Sequence, residues 1–425
     1  MTYFQENALM NRTIRTTCTS LLLVILSACQ DSGGSNAIKP SKPTAPTTKP
    51  TGSSLVTPAQ APNTELTQAI DKDFLKQLRQ AKDFFKQSQI WPSYQYGQTS
   101  QLYVRVDGNN EPQTAIMLNP QSHLKQGQQI GANENYGLTA LHLEHEMHQA
   151  NDKLRASNGG NDTFEFYYSV DGHNYYLQRY KPSSVNVTHP DFTADIALAV
   201  HEIFHNHQAA EFKTSPHTQQ LPFEQLNQYP NSLQFRTLQL AQLAILQGLP
   251  DKTMTAEEAK KQLQEYWLMA HEQIKLEQAA TGKTKQQTWV YRHGMSQERY
   301  EGSAQYIDVM LSRAILPVYA KHKFISFDPL QMDNEQGGYS RFNNAEQSTQ
   351  YFAFNIFYDT GSSAIWLLNQ AGFDLANIEQ GETPYDMVGR LLPMSPDEQQ
   401  TLLQELQSST HWQAVAAAAA RYQQL

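Results

Sequence analysis

The sequence predicts an α+β fold, with a small mixed or antiparallel sheet early in the folded region and a predominantly helical C-terminal portion. Three observations carry this. Aromatic and β-branched residues flank two Asp-Gly pairs, Leu102–Gly108 leading to Thr114–Leu118 and Phe164–Gly172 leading to Tyr175–Tyr180, which is how hairpins read in a sequence. The run from Asp195 to His207 instead repeats apolar residues at Ile196, Val200 and Ile203, the spacing of a half-buried helix. From there to Leu425 the pattern stays mostly helical.

Composition bounds what this fold can do. A chain of 425 residues with 39% hydrophobic and 10% aromatic content can bury a sizeable core, which excludes global disorder. Its 32 basic and 41 acidic residues leave a net charge of −9, and no long basic run stands out, so nucleic acid is a poor partner. Both cysteines, Cys18 and Cys29, sit near the N-terminus. A disulfide framework or thiolate metal site in the body of the protein is therefore excluded.

The elements follow in order. Residues 1–28 read as a targeting signal, with Arg12 and Arg15 before an apolar core, Leu21 to Leu26, that is too short to span a bilayer. Met10 makes a more usual start for such a peptide than Met1. Leu26-Ser27-Ala28-Cys29 resembles the lipobox of bacterial lipoproteins, in which the cysteine is lipidated and becomes the mature N-terminus. An ordinary secretory signal or an uncleaved anchor is the alternative. Gln30, with Asp31 only after it, lacks the aspartate that directly follows the cysteine in inner-membrane retention, and enterobacterial sorting then implies the outer membrane. Residues 29–63 are rich in Ser, Thr and Pro and read as a disordered tether.

The folded region runs over 64–425, divided into an α/β part, 64–207, and a mainly helical part, 208–425. Thr64 to Gln87 reads as a first helix, on Ile70, Phe74, Leu75, Leu78 and Phe84, and a second helical run lies near Leu138 to Leu154. Thr255 with Glu258 and Ser395 with Glu398 form capping-box patterns, the second with Pro396 at the first helical position. Ala414 to Ala420 marks a last, alanine-rich helix.

Chemistry concentrates in His201-Glu202-Ile203-Phe204-His205. Two histidines four apart on a helix lie one turn above the other on a single face. Imidazoles so placed can hold one Zn²⁺, with Glu202 pointing beside the metal toward a water. A helix that merely happens to carry two histidines is the competing reading. Catalytic zinc sites take three protein ligands and keep one position open. The best third candidate is Glu301, in Tyr300-Glu301-Gly302-Ser303-Ala304-Gln305-Tyr306-Ile307-Asp308, where small residues let two helices approach closely.

These fragments resemble the gluzincin metallopeptidases, especially their zinc aminopeptidase branch: a His-Glu-x-x-His, a later Glu-Gly-x-Ala-x-Tyr-x-acid, and a Tyr-x-x-Gly at Tyr358–Gly361. The resemblance covers roughly 195–368, with gaps. It implies a zincin-like fold and one zinc per chain, held by His201, His205 and Glu301. It further implies Glu202 as general base, Tyr358 as donor to an oxyanion, and a peptide or protein substrate. Glu298 and Asp308 become candidates to hydrogen-bond a ligand from behind, with a surface carboxylate the other reading of Glu298. The chain departs from that branch in placing residues 208–294, an insertion that could wall or cover the cleft, between the second histidine and the glutamate. There is also no room for the branch's large N-terminal β-domain.

Lesser candidates are weaker. Gly131–Asn135 is similar to the exopeptidase motif whose glutamate grips a substrate amino terminus, but Glu134 lies far upstream of the family position, and a solvated loop is the preferred reading. His142, His145 and His148 read as a wet helix face, since Gln149 stands where a second ligand would be needed. His207, two residues past His205, points away from the metal. The expected protein is a lipid-anchored zinc metallopeptidase, tied to the membrane through Cys29. A non-catalytic zincin-fold lipoprotein acting in binding or envelope assembly, and a zinc amidase acting on cell-wall peptide, are the alternatives.

Overall fold

A helix, α1 (Ala69–Ser88), opens the folded region and buries Phe74, Leu75, Leu78, Ala81 and Phe85 along one stripe. The computed structural model describes residues 68–425 apart from 92, 122–126, 132–134, 157–162, 191, 216–220, 332–341 and 343. The signal, Cys29, the tether and Glu134 lie outside the described residues. No described helix is long and apolar enough to cross a membrane. Asp71 pins α1 in place from its first turn. Its Oδ1 accepts from Arg105 Nε at 2.7 Å and from Tyr180 OH at 2.6 Å, while Phe74 stacks on the Tyr180 ring.

Six strands form one mixed sheet: β1 (Gln101–Val106), β2 (Pro112–Leu118), β3 (Gln128–Gln129), β4 (Ala140–His142), β5 (Phe164–Val170) and β6 (His173–Tyr180). Their order is β3-β4-β2-β1-β6-β5. All neighbours are antiparallel except β1 and β6. The two predicted hairpins turn differently. Asp171 and Gly172 both take positive φ (50° and 79°), as a two-residue turn of the mirror-image type requires. Asp107-Gly108 instead begins a longer loop whose left-handed residue is Asn110, with Asp107 Oδ1 accepting from the Asn109 and Glu111 amides.

Side chains alternate across the sheet, as the pleat demands. Tyr103, Ile116, Leu118, Tyr176 and Tyr180 enter the main core, whereas Leu102, Val104, Met117, Tyr175 and Leu177 face a smaller one. The smaller core is closed by α2 (Met147–Arg155) through Ala150 and Leu154. In β5 a bulge between Glu165 and Tyr168 switches faces, so Phe164 points to the main core and Tyr168 and Val170 to the other.

The helical run expected near 138–154 is corrected here. Within it Ala140–His142 form strand β4, paired with β2 at Leu118↔Ala140 and Ile116↔His142, a short 3₁₀ turn follows, and only Met147 onward is α-helix. Apolar spacing over so short a run does not separate the two states, and pairing with β2 decides it.

The longer helices that follow are α3 (Asp195–Glu211), α4 (Leu233–Leu246), α5 (Ala256–Thr281), α6 (Met295–Ile315), α7 (Ile356–Gln370), α8 (Pro384–Leu391), α9 (Pro396–Ser408) and α10 (Thr410–Tyr422). All but α9, which only packs against its outside, bury residues in the main core. Both capping boxes form, at Thr255/Glu258 and Ser395/Glu398, the second with Pro396 at the first turn. Helix α3 packs between the sheet, at β5 and β6, and α6; α6 packs along α7. Within 208–294, α4 and α5 pack on each other and on α7, and α10 closes over α4. This segment thus supplies the body behind α7.

Candidate metal centre

Helix α3 turns Ile196, Ala199, Val200, Ile203 and Phe204 into the main core. Its other face carries His201 and His205 toward α6, whose Glu301 meets both. Glu301 Oε2 lies 3.5 Å from His201 Nε2 and 3.5 Å from His205 Nε2. One ligand atom from each of the three lies within 4.8 Å of the others, and all three residues bury. Among the described residues this is the one group of His, Cys, Asp and Glu so arranged.

The opposite ring nitrogens are already occupied. His201 Nδ1 meets Asp308 Oδ2 at 2.7 Å, and His205 Nδ1 meets Gln208 Oε1 at 2.7 Å. Both acceptors are oxygens, so each Nδ1 carries a proton, and Nε2 is the ring position left for a metal. Asp308 was a candidate from the sequence. Gln208 was not, because a glutamine in a helix gives no signal of its own.

These residues fit a metal ion. Buried polar atoms nearly always find hydrogen-bond partners, yet His205 Nε2, Glu301 Oε2 and Glu202 Oε2 have none among the described residues. At 3.5 Å the His–Glu contacts exceed an ordinary hydrogen bond. Two imidazoles and a carboxylate form a donor set that suits a cation.

The electrostatics follow from burial and proximity. Burial alone would raise Glu301, but the His205 and His201 rings beside it hold its carboxyl well below the usual range. Burial opposes charge on His201 and His205, and Asp308 and Glu301 on the first, with Glu301 on the second, still raise both. A metal taking the Nε2 positions would release any protons held there. Burial pushes Glu202 up to about 7, against the pull of His201 and His205.

Helices α6 and α7 cross at two glycines. A Cβ on Gly302 would lie 2.6 Å from Gly361 Cα, and one on Gly361 would lie 2.6 Å from Glu298 O. Only hydrogen fits at either position. This contact brings the helix carrying Tyr358 against the helix carrying Glu301. The Tyr358 ring lies parallel to that of His201, 8° apart with centroids at 6.0 Å. A π-turn precedes each helix, Val290–Gly294 before α6 and Tyr351–Asn355 before α7. His293 joins the two turns: its Nδ1 accepts the Leu221 amide at 2.8 Å, and its Nε2 donates to Ala353 O at 2.7 Å. Burial lowers its pKa to about 4, which keeps it neutral in both roles.

Glu298 is neither a surface carboxylate nor a partner of the three. It is fully buried and accepts from Thr360 Oγ1 at 2.6 Å and from Tyr266 OH. One turn of α6 has carried it to the side facing α5 and α7. His207 faces away from the group, with Nε2 3.2 Å from Glu379 Oε1. His142, His145 and His148 line a separate cavity of about 460 Å³. They do not share a helix face, because His142 belongs to β4, where its Nε2 meets Thr114 Oγ1 at 2.8 Å.

Fold and site together define a mixed α+β protein with a buried His-His-Glu group able to hold a metal ion. No protein-family model matches the chain, and no curated protein and no solved structure matches it.

Proposed function

We propose that this protein is a lipid-anchored, zinc-dependent metallopeptidase of gluzincin type on a zincin-like fold. The observation that carries the reading is the meeting of His201, His205 and Glu301 in one buried group, with Glu202 electrostatically coupled to it and its Oε2 lacking a hydrogen-bond partner among the described residues. Two imidazoles and a carboxylate are a ligand set used for catalytic zinc. His201, His205 and Glu301 would hold the zinc ion, which would supply Lewis acidity toward water and a carbonyl near neutral pH.

The chain's own residues do the rest. Asp308 and Gln208 orient the two rings from behind. Glu202 takes a proton from the attacking water and returns it to the leaving amine, a task suited to a group whose affinity for protons lies near the working pH. The Tyr358 phenol donates to the oxygen on which charge develops. Substrate is a peptide bond, and the lipid on Cys29 holds the enzyme at the outer membrane.

Glu202→Gln separates this from a zinc-binding scaffold without chemistry. The variant removes a base and no ligand, so it should keep wild-type zinc and lose turnover on a peptide library; undiminished cleavage would overturn the assignment. Replacement of Cys29 by Ala should abolish metabolic labelling with palmitate, and unchanged labelling would reject the anchor.

A further inference from the structure

We infer that Gln208 is the positioning residue that fixes His205 for metal, and that it acts as an amide held in one orientation. The inference rests on the metal-centre reading above. Gln208 sits one turn past His205 on α3 and is buried. Its Nε2 lies 2.8 Å from Tyr300 O and 2.7 Å from Ser303 Oγ, while its Oε1 lies 2.7 Å from His205 Nδ1.

The chemistry of these partners fixes which way the amide points. A backbone carbonyl only accepts, so the end of the amide facing Tyr300 must be the nitrogen. Ser303 spends its hydroxyl hydrogen on the backbone, with Arg299 O at 2.6 Å and Tyr300 O at 3.1 Å, and so accepts from the same nitrogen. The amide is thereby held from two sides and its oxygen is turned to His205. Nδ1 of that ring must then donate, which leaves Nε2, 3.5 Å from Glu301 Oε2, as the nitrogen available to a metal. Tyr300 and Ser303 also flank Glu301 in sequence, so the same side chain spans from the second histidine to the helix of the third ligand. His201 is served differently, by the acceptor-only carboxylate of Asp308.

A carboxylate at position 208 would satisfy His205 equally well, yet it would set an acceptor against Tyr300 O. This separates a held amide from any acceptor behind the ring. Zinc affinity is measured by chelator competition on the full chain at pH 8 for wild type, His201→Ala, Gln208→Ala and Gln208→Glu, with thermal melting of each metal-free protein as the check on folding. Both Gln208 variants should bind zinc about 10–100-fold more weakly than wild type, the usual consequence of losing such a partner. In protein loaded with ¹¹³Cd and labelled with ¹⁵N-histidine, His205 should show metal coupling at Nε2 in wild type and lose or redistribute it in Gln208→Ala. Affinity within twofold of wild type in Gln208→Ala would overturn the inference, and so would wild-type affinity in Gln208→Glu. Zinc binding by His201→Ala equal to wild type, or none by wild type, would instead bring down the metal reading beneath it.

Discussion

Glu298 and Glu301 stand one turn apart on α6, equally buried, yet their surroundings treat them oppositely. Glu301 faces two imidazoles and is held ionised, while Glu298 faces two hydroxyls and is pushed up to about 7 by burial. One carboxylate ends in an oxygen with no hydrogen-bond partner among the described residues, and the other has both oxygens filled by Tyr266 and Thr360. Burial alone therefore says little about a buried acid. What it faces decides whether it is a ligand or a lock. Helix α6 carries both, and its glycine contact with α7 sets Tyr358 on the ligand side.

If that division is right, changes on the ligand side should alter chemistry and spare stability, and changes on the lock side should do the reverse. The largest effect is expected from Tyr358→Phe. A phenol that strengthens its hydrogen bond as charge develops acts on the transition state. Its loss should lower kcat by about 10²–10³, or about 3–4 kcal/mol, with KM, zinc content and melting temperature nearly unchanged. Were Tyr358 only an aromatic in the packing of α7, so conservative a replacement would leave turnover within about a factor of two.

The lock is tested by pH. The folded pKa of Glu298 is raised from 4.5 to about 7, so the folded state binds the proton more tightly than the unfolded chain. Its contribution is fully present below pH 4.5 and is lost as pH rises through 7, amounting to roughly 3 kcal/mol. Zinc-loaded wild type should accordingly lose stability relative to Glu298→Gln between pH 5 and pH 8, measured by denaturant unfolding. A difference that stays flat across that range would show that Glu298 is ionised in the fold.

Much of this was legible in the sequence where the cause is local. The apolar spacing of Ile196, Val200 and Ile203 exposes α3, and Thr255 with Glu258 and Ser395 with Glu398 announce their helices, because three or four residues determine each. Strand β4 was hidden in a helix-like run because its state depends on pairing with β2. The parallel contact of β1 with β6 has no local signature either. In the site, His201, His205 and Glu301 could be picked out by residue type and setting. Gln208 could not, since its role exists only once Tyr300 and Ser303 are folded against it. Glu298 was ambiguous for the same reason, as Tyr266 and Thr360 come from elements distant in the chain.

The central claim is that Glu301 and not Glu298 completes the metal group. Zinc per chain, measured by elemental analysis on purified Glu301→Ala and Glu298→Gln beside wild type, tests it most directly. Wild type and Glu298→Gln should each retain about one zinc, as expected for a single three-ligand site, and Glu301→Ala should fall to background. Full zinc in Glu301→Ala together with its loss in Glu298→Gln would contradict the account and move the ligand one turn along α6.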